Sequence, residues 1–180
     1  KPELLYSTMK SHGLLIYEYA WGRESSPIME YSSHDQKGVG NSTTLPRDID
    51  EKEVLYLYLL GLSEMVTYRL RALEKMAYVL CVHYRDYGFQ RRRLQRKLTS
   101  PLDTTMDIFS QCKTLFDELW QKEPIRQIGI SLTELVDNHE YQQNFLNINQ
   151  EKYRRLDSTI DELRDRFGRD TILRASFLHG

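Results

Sequence analysis

Between Lys37 and Leu132 the apolar spacing switches back and forth between two periods, and the order of those switches restricts the fold more than any other feature. Lys37–Leu45 (KGVGNSTTL) is β-rich, though thinned by glycine, and it stops at Pro46. Val54, Leu55, Tyr58, Leu62, Met65, Val66 and Leu70 then recur with helical period, so a helix is expected to about Leu73. Asp48 or Asp50 is its expected cap, with Glu51 and Glu53 in the first turn, where the helix dipole favours anions. Met76–Tyr84 (MAYVLCVHY) is β-branched and aromatic, Asp86-Tyr87-Gly88 supplies a turn, and Phe89–Leu98 (FQRRRLQRKL) returns as a strand that Pro101 stops. A second amphipathic helix is expected over Thr104–Gln121, burying Met106, Phe109, Cys112, Leu115, Phe116, Leu119 and Trp120. Pro124 breaks it, and Ile125–Leu132 alternates as a fourth strand. The order β-α-β-β-α-β specifies an α+β fold: a four-stranded sheet with two helices on one face and the other face open.

The flanks read differently. Residues 1–21 are helical, split at Ser11-His12-Gly13, and 22–36 (GRESSPIMEYSSHDQ) form a Ser-, Gly- and Pro-rich linker. The sheet domain is expected over 37–137. A C-terminal extension, 138–180, follows, with a charged helix from about Gln150 to Phe167. That helix spaces Glu151/Arg155, Asp161/Arg164 and Glu162/Arg166 for ion pairs and lines up Tyr153, Leu156, Ile160 and Leu163 as an apolar stripe. It packs on the protein's own body or binds a partner; the residues leave both open. A chain opening Lys1-Pro2 without an initiator Met is expected to be a piece of a longer protein.

A hydrophobic content of 40% in 180 residues suffices for one compact domain with appendages. The most apolar stretch, Val54–Leu62, is far short of the roughly 18 residues that span a bilayer, and no signal peptide is visible. Cys81 and Cys112 lack CxxC spacing, and His34, His83 and His139 have no Cys or acidic partners at metal-ligand spacing, so neither metal nor disulfide is expected. The chain reads as cytoplasmic. The net charge of −1 hides an uneven layout: residues 35–100 carry 12 basic and 8 acidic side chains, whereas 101–148 carry 3 and 8. One basic face opposed by an acidic one is the expected result.

Strand parity gives the open face its composition. Val79, Cys81, His83 and Arg85 point outward, with Arg91, Arg93, Gln95 and Lys97 from the third strand and Gln127, Gly129, Ser131 and Thr133 from the fourth. In the first strand Gly38, Gly40, Ser42 and Thr44 share one parity, and glycine there lets backbone amides approach a ligand. Arg92 and Arg96 have inward parity, which requires either snorkelling at an edge or a bulge. Tyr78 and Tyr84 fall on the covered side. Such a face suits a phosphate backbone held without base reading; equally, the arginines serve to protect an edge strand from aggregation.

Four stretches carry a resemblance: Gly13–Ile28 (GLLIYEYAWGRESSPI), Lys37–Pro46 (KGVGNSTTLP), Pro124–Leu132 (PIRQIGISL) and Arg166–Leu178 (RFGRDTILRASFL). Together, in this order, they resemble the C-terminal part of Y-family translesion DNA polymerases of the ImpB/MucB/SamB (UV-damage repair) type found in Gram-positive bacteria. The chain departs from the family pattern at Ile16, Glu24 and Gly38, where Leu, Asp and Ser are usual. The resemblance implies a thumb remnant, linker, little finger and C-terminal extension. It further implies that Lys37, Gly38, Gly40 and Ser42 touch one strand of a DNA primer–template, and that Arg91, Arg93 and Lys97 hold the other. His83, Arg85, Gln127 and Ser131 are secondary contacts. Gln142-Gln143-Asn144-Phe145-Leu146 resembles a sliding-clamp-binding pentapeptide, with Gln142 as polar anchor and Phe145 and Leu146 as apolar plugs. The carboxylates that hold two Mg²⁺ ions for nucleotidyl transfer belong to a palm domain, so no cofactor and no catalytic residue are expected in this chain. Asp161-Glu162 reads as solvated helix surface. The rival reading of the same element order is a ferredoxin-like RNA-binding or protein-interaction adaptor module.

Overall fold

The computed structural model describes residues 2–24, 36–138 and 148–177, and the chain divides into two units, Lys1–Ser32 and Ser33–Gly180. The first unit is a helix pair, α1 (Pro2–Met9) and α2 (Ser11–Ala20). The break falls at Lys10, whose φ of 55° ends α1, while Gly13 lies within α2. Glycine is required there because a Cβ would sit 2.2 Å from the Leu5 carbonyl oxygen. This unit leaves Leu4 and Trp21 more than three-fifths exposed.

The second unit follows the order β1 (Gly38–Ile49), α3 (Lys52–Ala72), β2 (Lys75–Asp86), β3 (Arg91–Leu102), α4 (Thr105–Leu119), β4 (Ile125–Asp137) and α5 (Ile148–Phe167). The sheet order is β1-β4-β2-β3, and every neighbouring pair is antiparallel. The expected α+β class, with two helices on one face of a four-stranded sheet, is what forms. Leu55, Leu59, Leu62, Val66 and Leu70 of α3, with Ile108, Cys112, Leu115 and Phe116 of α4, meet Leu80, Val82, Tyr84, Ile128, Ile130 and Leu132 of the sheet. Each of these side chains, fully buried, stabilises the fold by roughly 1.5–3 kcal/mol before entropic losses. Phe116 centres an aromatic cluster, with ring centroids 6.2 Å from Tyr56, 6.3 Å from Tyr84 and 5.4 Å from Trp120. Burial also pushes the Cys112 thiol up to about 12, so it packs as a neutral apolar side chain. Among the described residues no helix is long and apolar enough to cross a membrane.

Several boundaries differ from expectation, for identifiable reasons. β1 and β3 continue through Pro46 and Pro101, because both are edge strands and each bulges at its proline. The β1–β4 register jumps from Thr44↔Gln127 to Ile49↔Ile125, and β2–β3 from Val79↔Lys97 to Ala77↔Leu102. Neither Asp48 nor Asp50 caps α3; the cap position is Glu51, with no side-chain bond. Asp48 lies within the extended β1, where Arg126 of β4 donates to both its oxygens at 2.9 and 2.8 Å. That bond to Arg126 is the main cause of a pKa below the ordinary carboxylate range. In the β2–β3 turn the left-handed residue is Phe89 (φ 63°), not Gly88, and the Asp86 carboxylate accepts from the Gln90 amide.

Candidate nucleic-acid interface

Register alone assembles the face left open by the helices. Four rows cross the four strands in the order β1, β4, β2, β3: Gly38, Thr133, Val79, Lys97; Gly40, Ser131, Cys81, Gln95; Ser42, Gly129, His83, Arg93; and Thr44, Gln127, Arg85, Arg91. Directly opposed residues on a sheet share a face, so the strand parity read from the sequence groups these side chains as expected. Lys37 is exposed immediately before Gly38.

The face has two unlike halves. Along β2 and β3, Arg85, Arg91 and Arg93 are exposed, and among the described residues no carboxylate lies within ion-pairing distance of them. Along β1 and β4 the residues are small and neutral, with Gln127 donating to Ser42 Oγ at 3.4 Å. The glycines here answer first to strand packing. A Cβ on Gly38 would lie 2.7 Å from the Leu132 carbonyl oxygen, and one on Gly40 2.9 Å from Ser131 Cβ. Gly129 is tighter still, since a Cβ there would meet His83 Nε2 at 2.4 Å and Ser42 Cβ at 2.6 Å. The imidazole of His83 therefore lies over Gly129 in the middle of the face. Burial, and then the positive charge of Arg91, lower its pKa, so it is neutral near pH 7.

The inward-parity arginines resolve by snorkelling at the β3 edge. Arg96 stands opposite Leu80 and reaches Glu118 at 2.6 Å; Arg92 stands opposite Tyr84 and reaches Glu123 at 3.3 Å. Tyr84 is in the core as expected and donates to the same Glu123, whereas Tyr78 is half-buried with Lys97 Nζ 5.9 Å from its ring. Covered-side parity fails for Tyr78 because the β2–β3 register slips there. Lys97 itself is engaged, 2.5 Å from Glu134. One cation escaped the strand-based reading: Arg69 of α3 reaches around the β1 edge to donate to the Gly40 carbonyl at 2.9 Å. Its helical position gave no hint of that edge. Gln142, Phe145 and Leu146 lie outside the described residues.

Known proteins align with this chain as follows. The model of the impB/mucB/samB family C-terminal domain matches residues 36–145. DNA polymerase IV of Clostridium acetobutylicum is 31% identical over 97% of this chain and 44% of its own length. DNA polymerase IV 2 of Bacillus subtilis (strain 168) is 32% identical over 98% of this chain and 43% of its own length. The chain thus spans under half the length of these curated relatives. Among solved structures, the insertion ternary complex of Dbh DNA polymerase superposes with a TM-score of 0.51 at 18% identity, over 77% of this chain and 39% of that one. DinB from Sulfolobus solfataricus gives 0.50 at 18%, over 77% and 40%. At such identity these two speak for the fold alone. The matched span of the family model, with the two curated relatives beside it, leads to one assignment: this chain belongs to the impB/mucB/samB family and carries its C-terminal domain.

Proposed function

We propose that the open face holds the two phosphate backbones of a DNA primer–template without reading its bases, as the DNA-holding domain of a translesion DNA polymerase acting in damage tolerance. The observation that carries this reading is the group Arg85, Arg91 and Arg93, exposed together at one end of the face and free of carboxylates among the described residues. The face's dimensions support it. From β1 to β3 is three inter-strand steps, about 14 Å at roughly 4.8 Å each, comparable with the ~12 Å width of the major groove. Arginines along one edge and Lys37, Gly38, Gly40 and Ser42 along the other would meet opposite groove walls, with His83, Gln127 and Ser131 between them. The two holds differ in kind, one by charge and one by close approach and hydroxyl donors.

An RNA-recognition face needs two or three aromatic rings on which to stack bases; the four rows contain no Phe, Tyr or Trp, and Tyr78 beside Lys97 is a single half-buried ring. The polymerase activity of the whole protein, its Mg²⁺, and binding of a sliding clamp through Gln142, Phe145 and Leu146 belong to the same proposal and rest on family membership. The test is fluorescence-anisotropy titration of a primer–template duplex at several salt concentrations, on the chain and on an Arg85/Arg91/Arg93→Ala variant. Each lost phosphate contact removes about 0.9 from the log–log salt slope, so the triple variant should flatten it by about two to three. An unchanged slope would overturn the assignment of this face.

A further inference from the structure

We infer that Glu134 is a built-in attenuator of the DNA-holding face, a carboxylate placed among its cations to occupy Lys97 until a phosphate displaces it. The inference rests on the reading of that face as a phosphate-holding surface. In β4, Leu132 lies in the core and Leu135, three residues on, packs against it. The in–out alternation therefore slips between them, and Glu134 takes up the slip with a left-handed φ of 52°. Ordinary alternation would have turned Glu134 toward the helices with Leu132. Instead its Oε2 lies 2.5 Å from Lys97 Nζ, with the two side chains 53% and 67% exposed.

An exposed pair of this kind adds little to folding, which leaves the effect on the surface potential as its main consequence. The other acid partners of β3, Glu118 and Glu123, hold the inward-parity Arg96 and Arg92. Glu134 alone among these holds a cation of the rows. A phosphate arriving at Lys97 must break that bond and settle beside the released carboxylate, so the face grips more weakly than its cations would suggest.

Duplex titrations across a salt series on the whole chain test this. Glu134→Gln should tighten binding about two- to five-fold near 0.1 M salt and steepen the slope by about 0.9. Adding Lys97→Met, which keeps the aliphatic stem beside Tyr78, should cancel both gains. Glu118→Gln, which makes the same charge change at Arg96 on the covered side, should leave the slope unmoved. The attenuator is overturned if Glu134→Gln changes nothing while the triple arginine variant still loses affinity. It is equally overturned if Glu118→Gln gives the same gain, because net charge would then suffice. If neither the native chain nor Glu134→Gln binds duplex at low salt, the reading of the face fails and the attenuator with it.

Discussion

His83 shows how one side chain takes its properties from its neighbours. Its ring covers the bare Cα of Gly129, with Arg85, Arg91 and Arg93 beside it on β2 and β3 and Ser42, Gln127 and Ser131 around it on β1 and β4. Because burial and Arg91 depress its folded pKa below the ordinary 6.5, the unfolded chain takes up a proton first as pH falls. His83 therefore contributes stability above about pH 6.5, and that contribution is lost as pH drops through the folded value. Urea denaturation at pH 7.5 and pH 5.5 should show a loss that His83→Gln reduces. A phosphate beside the ring would act oppositely, favouring the charged form. Duplex affinity of the native chain should accordingly rise between pH 7.5 and 5.5, and anisotropy titrations on His83→Gln should show a smaller rise.

Among the elements, α5 departs furthest from its sequence pattern. The apolar stripe divides: Tyr153 is 39% exposed and Leu156 half exposed, whereas Ile160 and Leu163 are half-buried. The buried side carries charge. Arg71 of α3 donates to Asp161 at 2.7 and 3.1 Å and to Asp157 at 3.3 Å, while Arg154 donates to Asp103 and Arg164 reaches Glu64. Asp157 also accepts the Thr105 amide at 2.7 Å and so satisfies an orphan donor in the first turn of α4. Of the pairs read from spacing, Glu151–Arg155 forms at 3.0 Å, but Asp161 and Arg164 turn to partners in α3. Those partners lie 90 and 100 residues away, beyond the reach of local periodicity. Arg71 keeps Asp161 when Asp157 is removed, so the main loss is the acceptor of the buried Thr105 amide, at about 1–3 kcal/mol. Asp157→Ala should lose stability on that scale in chemical denaturation, and Asp157→Asn, which keeps an acceptor for Thr105, should lose less.

At the scale of the whole chain, the two units make different demands. The helix pair exposes Leu4, Tyr6, Leu14, Leu15, Ile16 and Trp21, apolar surface of the kind that packs against further protein. In the sheet unit, the shared face of Ser42, His83, Arg93 and Gln127 was legible in the residue order alone, because a strand period of two carries the face with it. Parity failed at Tyr78, where the β2–β3 register slips, and the strand read from the sequence stopped at Leu132, short of Glu134 and its left-handed backbone. Arg69 stayed hidden because its position on α3 says nothing of the strand edge it reaches. The neutral centre of the face, an imidazole over a glycine between small hydroxyls, has a mechanical consequence. If the face holds DNA as proposed, a duplex gripped mainly along its rims would meet little corrugation underneath, so it would screw forward base pair by base pair with little friction, and a distorted nucleotide crossing that floor would find little to snag on.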